Sequence, residues 1–391
     1  MQLTTGFIEN DPVERLPSGS GPLDGLVFAS KDIFELKGHI TSLGQPQWRA
    51  THAPATTDAP VITSLLDAGA HLIGKTHTDE LCYSIAGQNS HNGTPPNPAL
   101  PGAIPGGSSS GSVSVTAAGL VDFAIGSDTG GSVRIPASYC GVYGIRPTHG
   151  AVSTEAAAPL APRFDTLGWF ARDIETLGKV GKVLLPEDTQ AFSFSRVRGI
   201  ADVHSNVEPI LLTQLQELLD ANTQLTQIDA LTLGELDRFP SLFRVVQGYE
   251  AWQAYGEWIE ATRPNFGPGI RERFEAASKI TADEYATALA AANALRDQVR
   301  ARFDSSTLWC MPTAPSHAPA IDASPEEVDA IRSRTMRMNA IAGIAGLPQI
   351  SLPLLHDGTG PVGLSLIGPA GSDRALLNLA AELDADWNNH K

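Results

Sequence analysis

The chain has 391 residues, 42% hydrophobic and 18% charged, a balance that supports a large buried core and excludes a disordered chain. A formal net charge of −16 excludes docking on nucleic acid or on an anionic membrane through a basic surface, because an acidic protein repels phosphates. Cys82, Cys140 and Cys310 are widely spaced and form no CxxC pair, so neither a disulfide framework nor a zinc cluster is expected, and a reducing, cytoplasmic setting is.

Residues 1–22 mix Pro, Gly and polar residues, which predicts an irregular lead-in without the basic start and apolar run of a signal peptide. Gly25–Ala29 (GLVFA) predicts a short buried strand that ends at Ser30-Lys31-Asp32. Residues 58–70 have helical apolar spacing, and His71–Gly74 predicts a second strand ending at Lys75. Strand, helix, strand is an α/β rhythm. The Gly-, Pro- and Ser-rich stretch 92–111 has the composition of a linker, but apolar segments flank it on both sides. Ser112–Leu120 predicts a tightly packed helix, and Val121–Ile125 a strand running into the glycine cluster Gly126–Ser132. Residues 207–303 read as mostly helical, with aromatics at Phe243, Tyr249, Trp252, Tyr255 and Trp258 that suit either a helix core or a flat acyl pocket. Strands at Thr307–Met311, Gln349–Leu352 and Gly363–Ile367, a small-residue helix up to Gly346 and a helix from about Asp373 complete the chain. No repeat and no run of about 18 apolar residues interrupts it, so nothing is expected to span a bilayer. One α/β domain over 1–391 is the simplest organisation.

Two Gly-rich segments invite a phosphate loop, yet GxxxxGK[ST] and a post-strand GxGxxG are both missing. Gly107–Gly111 (GSSSG) fits GxSxG on Ser109, but the elbow needs a strand leading into it, and Pro101–Gly106 (PGAIPG) cannot be a central strand. His77 stands beside Asp79 and Glu80 without an HExxH pattern, so it is expected to line a loop or helix start, and no metal is expected. Serine chemistry with a lysine base remains. Ser132 follows two glycines at a strand end, where backbone N–H groups are unscreened and can converge on an oxyanion. Serine needs a base, and burial lowers a lysine's proton affinity. Lys31 and Lys75 both lie near strand ends, and spacing does not choose between them.

Pro105–Ser112 (PGGSSSGS) followed by Gly126–Gly150 (GSDTGGSVRIPASYCGVYGIRPTHG) resembles the core signature of the amidase signature family. Supporting matches lie at Ala29–Asp32, Gly74–Thr76 with Asp79-Glu80, Phe164–Gly168, Pro312–Pro315, Gly346–Pro353 and Pro361–Leu364, whereas 185–300 does not match clearly. The resemblance implies a central twisted mixed β-sheet flanked by helices on both faces. The catalytic core would be about 22–180 and 305–391, with a variable helical substrate region at about 205–303. It implies Lys31 as base, Ser108 as relay after a cis Gly107–Ser108 peptide, and Ser132 as nucleophile. It further implies an oxyanion hole from the N–H groups of Thr129, Gly130, Gly131 and Ser132, with Asp128 and Arg134 bracing the loop. Ser109 and Ser110 are expected to hydrogen-bond within the site, Cys82, Tyr83 and Ser84 to lie near the acyl pocket, and Cys140 to be a packing residue. The substrate implied is a small carboxylic amide, cleaved without a cofactor by a monomer or homodimer. Segments such as SLLDAGA and FDT-GWFARD look most like short indole-3-acetamide hydrolases. A carbamate or ureide hydrolase, an amidotransferase A-type subunit that needs partners, and a non-catalytic binding relative are the alternatives.

Overall fold

A computed structural model describes residues 5–389. The strands are β1 (Val27–Lys31), β2 (His71–Thr76), β3 (Phe123–Ser127), β4 (Tyr143–Arg146), β5 (Leu167–Ala171), β6 (Arg196–Gly199), β7 (Thr226–Gln227), β8 (Thr307–Pro312), β9 (Gln349–His356) and β10 (Pro361–Ile367). They form one sheet in the order β2-β1-β3-β5-β4-β9-β10-β8-β6-β7. β1 runs parallel to β2 and β3, β6 parallel to β7 and β8, and the other adjacent pairs are antiparallel, so the sheet is mixed.

Alternation along the strands places helices on both faces. Phe123 and Ile125 enter the main core, while Ala124 between them packs with Val115 of the helix Ser110–Ala117. Trp169 and Phe170 divide in the same way, Phe170 meeting Val113 and Ala137 on the second face. On the main-core face lie Leu177 and Val180 of the helix Ile174–Leu184 and Leu376 and Ala380 of the helix Asp373–Asn389. No helix among the described residues is long and apolar enough to cross a membrane.

Several elements differ from the sequence reading. The helix expected at Ser112–Leu120 starts two residues earlier, inside the Ser/Gly stretch, and stops at Ala117 because Gly119 takes a φ of +71°, a left-handed turn that closes a helix. The following strand therefore begins at Phe123, with Asp122 accepting the Val27 N–H at 2.7 Å. The described part of the lead-in is paired: Phe7 bridges to Thr76 and Arg15 to Leu72, covering the free edge of β2. β4, β5 and β6 have four or five residues each, too few for their periodicity to stand out. The region read as helical carries Pro209–Ala221, Arg238–Thr262, Ile270–Ala277 and Ala282–Arg300.

Candidate active site

The parallel strands β1 and β3 end side by side and deliver two segments to one place. Lys31, the last residue of β1, is fully buried, and its Nζ donates to Ser108 Oγ at 2.7 Å and to Ser127 Oγ at 2.9 Å. Lys75 serves elsewhere. In the parallel register Lys31 stands opposite Thr76 and Lys75 opposite Ser30, so the two lysines point to opposite faces. Lys75 Nζ pairs with Asp11 at 2.8 Å and Asp32 at 3.1 Å and donates to Ile40 O at 2.7 Å.

Ser108 is fixed by its backbone. The Gly107–Ser108 peptide is cis. Gly107 donates to Ile85 O at 2.8 Å and Ser108 O accepts from Asp79 N at 3.2 Å. Only glycine fits at 107, since a Cβ there would lie 2.4 Å from Asp79 Oδ2 and 2.6 Å from Gly87 N. Burial raises the Asp79 carboxyl above its ordinary value, against the Gly87 N–H, the Ser84 hydroxyl and the charges of Lys31 and Arg273. Ser109 Oγ donates to Ser127 O at 3.2 Å and accepts from Ser127 N at 3.3 Å, which stitches the helix start to the end of β3. Ser110 opens that helix and makes no side-chain hydrogen bond among the described residues, contrary to the expectation that it would bond within the site.

The nucleophile-candidate loop wraps around Asp128. Its Oδ1 accepts from Gly131 N at 2.9 Å and Arg134 Nη2 at 2.8 Å, and its Oδ2 from Val133 N, Arg134 N and Arg134 Nε at 2.9–3.2 Å. Burial alone would raise this carboxyl, but Arg134 and Arg146 hold it well below the usual carboxylate range. Arg134 Nη1 also reaches Asn339 O at 2.9 Å and Gln349 Oε1 at 2.7 Å, tying the loop to β9 and the helix Pro325–Ala345. Arg146, inside the matched block but given no role by it, bonds Asp128 O at 2.5 Å and Phe164 O at 2.9 Å. Thr129 Oγ1 donates to Asp165 at 2.6 Å.

This wrapping corrects the expected oxyanion set. The Gly131 N–H is spent on Asp128, so of the four donors only those of Thr129, Gly130 and Ser132 lack a protein acceptor among the described residues. Gly131 sits at φ +123°, and a Cβ there would lie 2.5 Å from Ile135 Cδ1. Ser132 lines a cavity of about 320 Å³, and its Oγ makes no protein hydrogen bond among the described residues, to Ser108 or any other group.

Cys82, Tyr83, Ser84, Gly130 and Phe243 line the same cavity. Of the aromatics expected to form either core or acyl pocket, only Phe243 reaches it. Tyr249 stacks on Tyr285 at 4.3 Å, while Tyr255 and Trp258 meet Trp48 edge-on at 5.4 and 5.0 Å. Cys140 is buried, and desolvation pushes its thiol far above the ordinary value, which suits packing. Ser127, Asp79 and Arg146 are given no role in the site by the sequence reading. Each lies in or beside a matched segment, but its role depends on partners that only folding supplies.

A family model described as Amidase matches residues 12–218 and 198–377. "Amidase 1" of Arabidopsis thaliana is 39% identical, over 97% of this chain and 97% of its own. The A-type subunit of glutamyl-tRNA(Gln) amidotransferase from Natronomonas pharaonis is 30% identical over 97% of this chain and 99% of its own. A solved structure described as "Crystal structure of amidase" superposes with a TM-score of 0.82 at 27% identity, covering 93% of this chain and 85% of that one.

Proposed function

The chain belongs to the amidase family, and we propose that it hydrolyses a small carboxylic amide through an acyl-enzyme on Ser132, with Ser108 as relay and Lys31 as base. The observation that carries this reading is the buried Lys31–Ser108 contact of 2.7 Å beside a cavity lined by Ser132. In the proposed mechanism the unprotonated Lys31 amine takes the Ser108 proton while Ser108 takes that of Ser132, and Ser132 Oγ attacks the amide carbon. The relay requires Ser132 Oγ to come within reach of Ser108 when amide is bound, and catalytic hydrogen bonds commonly tighten only in the complex. The N–H groups of Thr129, Gly130 and Ser132 are the proposed donors to the tetrahedral oxyanion, each of a kind worth about 3–4 kcal/mol. The proton returns through Ser108 to the leaving amine, and water then cleaves the ester to free the acid and restore Ser132.

An aryl or indole-type acetamide as substrate draws support only from Phe243 among the aromatic group. The likeness to an amidotransferase component supports a second reading, in which glutamine is the amide and partner proteins are required. The three cysteines are free and buried, which supports a reducing, cytoplasmic setting.

The test is ammonia or amine release from an amide panel that includes indole-3-acetamide, benzamide, aliphatic amides and glutamine. Ser132→Ala and Lys31→Ala are each expected to lower kcat more than about a thousandfold. Full activity in either variant overturns its assigned role, and turnover of glutamine alone, only with added partners, favours the second reading.

A further inference from the structure

Resting on the amide-hydrolase reading above, we propose that Glu80 and His91 are positioning residues: they clamp the 263–269 connection and so hold the helical wall of the cavity in place for substrate. Two helices build that wall. Arg238–Thr262 presents Phe243, Arg244 and Gln247 to the cavity, and Ile270–Ala277 presents Arg273. The facing side is Cys82, Tyr83, Ser84 and Ile85, the segment that follows directly on Glu80. Between the helices the chain is irregular, leaving the first through Arg263 at a φ of +46° and entering the second through Gly269 at +81°. Its polar groups bond outward to the body of the protein. Gly267 N donates to Glu80 Oε2 at 3.0 Å, and Asn265 O meets His91 Nε2 at 2.9 Å and accepts from Gln45 Nε2 at 3.2 Å. Asn265 N donates to Gln47 Oε1 at 2.6 Å. The fit is close, since a Cβ on Gly267 would lie 2.1 Å from Ser90 Oγ.

Glu80 is the centre of this fastening. It is 2% exposed, and no lysine or arginine lies within ion-pair distance of it among the described residues. Its Oε1 receives no hydrogen bond and faces His91 Nε2 at 2.5 Å. A carboxylate and a carbonyl both face that nitrogen, so Nε2 carries the imidazole proton. A buried carboxylate is costly unless it is paired, so Glu80 depends on the Gly267 N–H and on His91, and the connection depends on Glu80 in turn. Apolar contacts carry the fastening on to the cavity. Phe266 is buried and stacks on Phe274 at 5.2 Å, and Phe274 meets the Tyr83 ring edge-on at 5.0 Å. Arg273 Nη1 donates to Tyr83 O at 2.5 Å. Neither Glu80 nor His91 lines the cavity that Ser132 lines, so both act through the residues that do. Glu80→Gln keeps the side chain's shape, but its amide N–H groups would face either the Gly267 N–H or the His91 Nε2–H, donor against donor.

The experiment measures amide kinetics and peptide-level hydrogen exchange for wild type, Glu80→Gln and His91→Gln. Both variants are expected to raise KM for the best amide of the panel by about tenfold or more, with kcat changed less than about threefold. Exchange in residues 263–277 is expected to quicken by about tenfold while β1, β3 and β9 exchange as in wild type. His91 is partly exposed, at 19%, so its variant reads the clamp even if Glu80→Gln fails to fold. Unchanged exchange in 263–277 overturns the clamp. Faster exchange there with an unaltered KM, or a fall in kcat with faster exchange throughout the sheet, overturns the positioning role. If wild type hydrolyses no amide, the catalytic reading falls by itself; exchange that quickens only in 263–277 then sustains the clamp, and exchange as in wild type refutes it.

Discussion

Asp128 shows most directly how single residues hold this site. It is the only carboxylate that touches Arg134 and Arg146 within ion-pair distance among the described residues, and all three side chains are fully buried. Asp128→Asn is expected to destabilise the fold by about 3–5 kcal/mol, because it strands two buried cations, and a shift in urea midpoint measures it. The pH dependence has a definite sign. The folded-state affinity of Asp128 for a proton is depressed, so its contribution is complete at neutral pH and fades only as pH falls below the unfolded value of about 3.9. The gap in midpoint between wild type and Asp128→Asn should therefore be full at pH 7 and narrow in acid; a gap that widened in acid would contradict the assignment. Lys75 is the structural counterpart of Lys31. Lys75→Ala leaves Asp11 and Asp32 without their shared cation, and a stability loss of about 3–5 kcal/mol is expected by denaturant titration.

At the scale of elements, two loops are shaped by glycines that admit no side chain. The 105–112 segment brings Ser108 beneath β1 only because Gly107 passes close to Asp79 and Gly87. Gly107→Ala must push that backbone away, and displacing a reacting group by about 1 Å commonly costs about a hundredfold in rate. The expected outcome is a fall of that order in kcat/KM with circular dichroism unchanged; normal kinetics would show that Ser108 need not sit where Gly107 holds it. The 127–134 loop was legible as a site because its GGS run is contiguous. Its correction at Gly131 was not, because the sequence does not reveal that Asp128 turns back to take that N–H. The helix Ser110–Ala117 shows a similar limit, its start hidden in a Ser/Gly composition that reads as irregular and its end set by Gly119.

Across the whole molecule, the sheet interleaves the two ends of the chain. β9, β10 and β8 lie between β4 and β6, and Arg134 reaches across to Gln349 and Asn339. A fragment ending at residue 304 would expose the edge of β4 and leave the Asp128 loop without these partners, so loss of cooperative melting and of turnover is expected; a fragment that melts cooperatively and hydrolyses amide would refute that dependence. The amino-acid sequence by itself determined the α/β class and the paired serine segments, because apolar periodicity and contiguous Gly/Ser loops express local backbone preferences that any fold must respect, and its matched Gly/Ser motifs carried the resemblance to the family. Spacing left Lys31 and Lys75 open and the family resemblance implied Lys31; tertiary structure gives the physical reason, because a one-residue register between β1 and β2 turns the two lysines to opposite faces and only Lys31 meets Ser108. It also decided the charge of the cavity, because Arg244, Arg273 and Arg332 stand on three different helices and converge only when those helices pack.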